Sequence, residues 1–147
     1  MNTPISTVLA YKGAAVHQVP TSLTIAEAVH EMNRQAIGSV LVMADDRIAG
    51  IFTERDVLRR VVVSDIDPKT TPVSKVMTPQ VMTINPRVTV QEVMNAFAEK
   101  RIRHLPVVQN GQLLGIISIG DVSRWAANAQ RVETEQLRQY VSGGQDA

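Results

Sequence analysis

Gly50-Ile51-Phe52-Thr53-Glu54-Arg55-Asp56 returns 65 residues later as Gly115-Ile116-Ile117-Ser118-Ile119-Gly120-Asp121. In each copy a glycine inside an apolar run leads to a hydroxyl residue, with an aspartate three positions further on. Working outward, residues 23–57 lie on residues 88–122 without a gap, and eight of the 35 aligned pairs are identical. These are Thr24/Thr89, Glu27/Glu92, Ile37/Ile102, Val42/Val107, Gly50/Gly115, Ile51/Ile116, Asp56/Asp121 and Val57/Val122. Chance at ordinary residue frequencies gives about two. Self-similarity at such a period marks one supersecondary unit written twice.

The local signals define that unit. A short apolar stretch, Val16 to Val19 or Val81 to Ile84, reads as a strand. After a turn with Pro20 or Pro86, Thr24 with Glu27 and Thr89 with Glu92 stand at capping-box spacing. The following stretches place Ile25, Ala28, Val29, Met32 and Ala36, or Val90, Val93, Met94 and Phe97, on one helical stripe. Two β-branched strands joined by a polar turn come next, and their spacing predicts an antiparallel hairpin. A second helix begins near Thr53 or Ser118. The order is β-α-β-β-α. A unit of this size buries too little surface to stand comfortably alone, so the expected fold is α/β (α+β), two repeats packed sheet to sheet with pseudo-twofold symmetry. Repeat 1 spans 8–63, a proline-containing linker 64–72 and repeat 2 73–128. The remainder, 129–147, reads as a polar C-terminal helix stopped by Ser142-Gly143-Gly144. That helix suits capping of the core and packing on a second subunit equally well.

Composition excludes whole classes of function. The 147 residues are 44% hydrophobic, 20% charged and 3% aromatic, with 15 basic against 14 acidic side chains. A packed aliphatic core follows, with no bulk charge and few stacking rings for nucleic acid. The absence of cysteine removes disulfides, thiolate metal sites and thiol catalysis, and suits a reducing cytoplasm. No apolar run has the length of a membrane span or the form of a secretory leader. His17, His30 and His104 show no metal-ligand spacing. No Walker loop, dinucleotide glycine fingerprint or nucleophile elbow is present, so no catalytic residue is assigned.

Thr53 with Asp56 and Ser118 with Asp121 carry two readings. As structure, each is a helix cap, with the aspartate at the positive end of the helix dipole. As chemistry, a carboxylate beside a hydroxyl accepts both hydrogens of a vicinal diol, as an acidic residue does for ribose in dinucleotide-binding folds. Gly50 and Gly115 favour the second reading, because a strand glycine often marks close approach by a ligand or another backbone.

The doubled pattern resembles a pair of cystathionine-β-synthase-type (CBS) domains, a Bateman module. Pro72-Val73-Ser74-Lys75-Val76-Met77-Thr78-Pro79 is similar to the family's entry to a second repeat. Arg103-His104-Leu105-Pro106-Val107-Val108 followed by the Gly115 to Asp121 motif resembles one of the family's more recognisable signatures. The resemblance implies a sensor of adenosine-containing ligands (AMP above all, with ADP, ATP, NAD(H) or S-adenosylmethionine as alternatives), held in clefts between the repeats. Carried over by motif position, Thr53, Asp56, Ser118 and Asp121 hold ribose. Arg55, Arg103, His104 and Lys12 meet phosphate, with Arg59 as a further helper. Adenine lies against Val16, Val19 and Thr21, against Ile37, Gly38 and Val40, and against Val81, Ile84, Pro86, Ile102 and Leu105. The resemblance also implies a homodimer and a regulated protein partner. Two plainer readings stand beside it: Arg59 and Arg60 as the solvated face of a helix, and His104 as a hydrogen-bonded structural histidine. The other function considered is a dimeric protein-interaction module with degenerate ligand sites.

Overall fold

The structure is a computed structural model that describes residues 2–13 and 16–145, the last four by backbone alone. In chain order the elements are α1 (Ile5–Lys12), β1 (Gln18–Pro20), α2 (Ile25–Gln35), β2 (Ser39–Ala44) and β3 (Arg47–Thr53). A single helical turn, α3 (Glu54–Asp56), runs into a π-helix at Val57–Val62, and a 3-10 turn at Val73–Lys75 precedes β4 (Thr78–Pro79). Then come α4 (Val90–Lys100), β5 (His104–Gln109), β6 (Gln112–Ser118) and α5 (Ile119–Gln145). The chain divides into two compact units. One takes the residues from 16 to 82, the other joins α1 to the chain from residue 83 onward.

In the first unit β1 pairs parallel with β2, β2 antiparallel with β3, and β3 antiparallel with β4. In the second, β5 and β6 form the antiparallel hairpin. The expected opening strand there shrinks to a parallel bridge between Ile84 and Val107. Ile84 donates to the Pro106 carbonyl and accepts from Val108, whereas the neighbours 81–83 make no ladder.

The repetition reaches into backbone detail. The hairpins share their register, from Ser39 opposite Thr53 and His104 opposite Ser118 to a bulge at Val42/Met43 and at Val107/Val108. α2 and α4 end on a left-handed residue, Ala36 and Arg101, each with φ 54°. The hairpin turns contain the positive-φ residues Asp45 and Asn110, residue types that tolerate this region. Both helices start with the complete capping box at Thr24/Glu27 and Thr89/Glu92. Core positions correspond as well: Ile25 with Val90, Ala28 with Val93, Met32 with Phe97 and Phe52 with Ile117 are buried.

Two differences from the sequence reading stand out. α1, which the alignment at the 65-residue offset does not reach, is an element of the second unit. Its Ile5 and Val8 are fully buried in that core, and the Ile5 and Ser6 N–H groups donate to the Val88 and Pro86 carbonyls. Pro4 bridges Thr89, just as Pro72 bridges Thr24 in the other unit. Each repeat thus has its lead-in segment assigned to the unit of the other repeat. Secondly, the C-terminal helix is not separate among the described residues: the backbone stays helical from Ile119 through Gln145, and Ser142-Gly143-Gly144 does not stop it. A glycine costs about 1 kcal/mol in a helix, whereas extending a formed helix gains a hydrogen bond for each residue fixed.

Candidate functional site

β3 and β6 each run into a helix at the hydroxyl residue, and this junction sets the two carboxylates. Thr53 N–H donates to Asp56 Oδ2 at 3.0 Å and Asp56 N–H to Thr53 Oγ1 at 3.3 Å. Ser118 N–H donates to Asp121 Oδ2 at 2.9 Å and Asp121 N–H to Ser118 Oγ at 3.1 Å. The next free N–H groups, on Glu54 and Ile119, donate to the carbonyls of Gly38 and Arg103. Both aspartates are only 7% exposed, the only charged residues among the buried ones described. The capping reading is therefore realised in both copies. It leaves Oδ1 of each carboxylate outside the cap.

The remaining partners differ. Asp56 Oδ1 meets the Thr78 hydroxyl at 3.4 Å and lies 3.6 Å from Arg60 Nε, the latter beyond hydrogen-bond range. Asp121 is gripped harder: Lys12 Nζ donates to Oδ2 at 2.7 Å and Arg124 donates to Oδ1 at 2.7 Å. Lys12 also donates to the Ile116 carbonyl. Burial pushes the Asp121 pKa up, but the Lys12 and Ser118 hydrogen bonds and the Lys12 charge outweigh it and hold the carboxyl below its ordinary range. Desolvation lowers the His104 pKa. Lys12 and Arg103 lower it further, against an opposing pull from Asp121.

The strand glycines have an internal explanation. A Cβ on Gly50 would lie 2.7 Å from both Met77 Sδ and the Thr78 carbonyl oxygen, and one on Gly115 would lie 2.7 Å from Leu9 Cδ2. The close approach signalled by each glycine is thus made by the chain itself, from the lead-in segment packed on that strand, and these positions do not point to a ligand.

The other sequence-predicted residues separate by burial. Val19, Val40, Ile84 and Leu105 belong to the hydrophobic cores and Pro86 is buried, so their side chains present almost no surface. Val16, Thr21, Ile37, Gly38, Val81 and Ile102 are half-buried. Arg55, Arg59 and Arg103 are exposed and His104 is half-buried. Lys12, His104, Ser118 and Asp121 come together in the second unit. Thr53 and Asp56 stand together in the first. Arg60, expected on a solvated face, donates to the Met77 carbonyl at 3.0 Å. Arg124 and Thr78 escaped the sequence reading. The spacing of Arg124 from Asp121, one helical turn, was a usable signal, whereas Thr78 reaches Asp56 through tertiary structure. Among the described residues, no cluster of His, Asp and Glu is arranged to hold a metal ion, and no helix is long and apolar enough to cross a membrane.

Comparison with known proteins adds four facts. The family model described as CBS domain matches residues 14–63 and again 73–128. CBS domain-containing protein CBSX3, mitochondrial, of Arabidopsis thaliana is 34% identical over 97% of the chain and 74% of its own length. Among solved structures, the CBS-domain containing protein ATU1752 from Agrobacterium tumefaciens superposes with a TM-score of 0.80 at 37% identity, covering 84% of the chain and 99% of its own. The hexameric CBS-CP12 protein from bloom-forming cyanobacteria does so with a TM-score of 0.73 at 32% identity, covering 83% and 67%.

Proposed function

Since the chain belongs to the CBS-domain family and carries two copies of the domain, we propose that it is a cytoplasmic regulatory module whose ligand is an adenosine-containing nucleotide. AMP is the first choice, and ATP, ADP and NAD(H) share the recognised ribose. One observation carries the reading: in both repeats a nearly buried carboxylate stands beside a hydroxyl at a helix start, with one oxygen left outside the cap. Charge that is withheld from water without being needed by the cap is suited to a polar ligand. Arg55 and Arg103 supply exposed cations for phosphate. Ligand binding shifts the balance between arrangements of the module, or between assemblies of several copies, by its differential affinity for them. A homo-oligomer fits the hexameric state of the CBS-CP12 relative.

Thermal scans with AMP, ATP, NADH and S-adenosylmethionine test the proposal. A ligand at a hundred times its dissociation constant adds about 2.7 kcal/mol, and the gain disappears in an Asp56→Ala/Asp121→Ala double variant. No shift with any of the four sinks the reading. A second reading, a protein-interaction module with degenerate sites, draws on Gly50 and Gly115, whose close contacts are internal. It predicts a partner captured equally by the wild type and the double variant.

A further inference from the structure

The two ribose carboxylates of the proposed function each accept three hydrogen bonds but differ in how firmly those bonds are held. An ionised carboxylate offers about four lone-pair directions, two on each oxygen. On Asp121, Oδ2 already accepts from Ser118 N–H and from Lys12, and Oδ1 accepts from Arg124. One direction is left, and a vicinal diol needs two. On Asp56, Oδ2 is engaged by the Thr53 N–H and hydroxyl, and Oδ1 meets the Thr78 hydroxyl at the long distance of 3.4 Å, with the exposed Arg60 Nε no nearer than 3.6 Å. A hydroxyl turns away at little cost, whereas a charge-assisted bond at 2.7 Å does not.

The occupant of Asp121 comes from the lead-in segments. In Pro4-Ile5-Ser6-Thr7-Val8-Leu9 and Pro72-Val73-Ser74-Lys75-Val76-Met77, proline bridges a cap threonine, two apolar side chains are buried, and Leu9 or Met77 covers the strand glycine. Three residues further on stands Lys12 in one and Gln80 in the other. The ammonium that closes the second carboxylate therefore has no charged counterpart in the first lead-in. The Lys12 side chain is 24% exposed, so it has water to swing into, while Ile5 and Val8 keep α1 anchored.

Resting on the nucleotide reading above, we propose that Lys12 is a built-in occupant of the Asp121 site. Asp56 is then the site that nucleotide fills, and Asp121 accepts ribose only when Lys12 is displaced. This assigns Lys12 a role opposite in sign to phosphate binding, the role suggested by motif position.

Calorimetric titration of the whole chain with AMP, and separately with ATP, decides the matter. Wild type is expected to bind one nucleotide per chain, and Asp56→Asn to lose it. Lys12→Met, which keeps the aliphatic stem and removes the charge, is expected to gain a second site. That site should be tighter than in wild type by roughly ten- to a hundredfold, the range of a hydrogen bond to a charged group, and lost again in Lys12→Met/Asp121→Asn. Two equal sites in the wild type, or weaker binding in Lys12→Met, overturn the proposal and leave the nucleotide reading intact. Absence of binding in every variant, Lys12→Met included, overturns both.

Discussion

The strand glycine of the first repeat faces backbone, the Thr78 carbonyl, whereas that of the second faces the end of a leucine side chain. The aspartates diverge in the same way: Asp56 keeps loose company, and Asp121 is held between two cations at 2.7 Å. One repeated motif has thus been finished by two different lead-ins. A β-α-β-β-α unit specifies the hairpin, the cap and the carboxylate, but the segment laid across its strand settles how much room and how much charge remain there.

The comparison can be broken by substitution, and the largest effect is expected at the glycines. Gly50→Ala forces a methyl group onto a backbone oxygen, so it should cost about 2–3 kcal/mol, as overpacking against an unyielding neighbour does. Gly115→Ala asks only that Leu9 change rotamer and should cost about 1 kcal/mol or less. Equal losses in urea denaturation would show that the two lead-ins are equivalent after all. Next, Thr24→Ala and Thr89→Ala each remove one capping box, and about 1 kcal/mol should be lost in either repeat. A large inequality there would mean that the repeats differ beyond their lead-ins.

The smallest effect is in pH. Desolvation lowers the His104 pKa in the folded state, so the unfolded chain binds more protons from the ordinary value of 6.5 downward. Stability is therefore lost as pH falls from 6.5 toward the folded value. Asp121 adds a second loss at more acid pH: its folded pKa lies below the ordinary 3.8, so its contribution is present above that value and vanishes as pH falls through the lower one. The first repeat has Ser39 where the second has His104. His104→Ser should flatten the loss between neutral pH and pH 5 in thermal melts and leave the acid limb. An unchanged profile would locate the titration elsewhere.

Much of this was legible beforehand because its causes are local. Thr24 and Glu27, or Ser118 and Asp121, interact within one helical turn, and the apolar run Val40 to Met43 carries the strand propensity of its own residues. Arg124 was within reach of the same reasoning, being one turn beyond Asp121. Lys12 was not, since 109 residues separate it from Asp121. The lead-in match of Pro4 to Leu9 with Pro72 to Met77 runs at a spacing of 68 rather than 65, so the gapless alignment passes it by. For the same reason the strand glycines fitted either a ligand or another backbone in the sequence, and turned out to face the chain itself.

The order of residues alone determined a doubled unit, its capping boxes, its antiparallel hairpins and two carboxylates at helix starts, because these follow from propensity and spacing over a few residues. Tertiary structure alone decided that each lead-in serves the unit of the other repeat, and that Lys12 rather than solvent meets Asp121. A contact between distant segments depends on the packing of whole elements, which no short window of sequence contains.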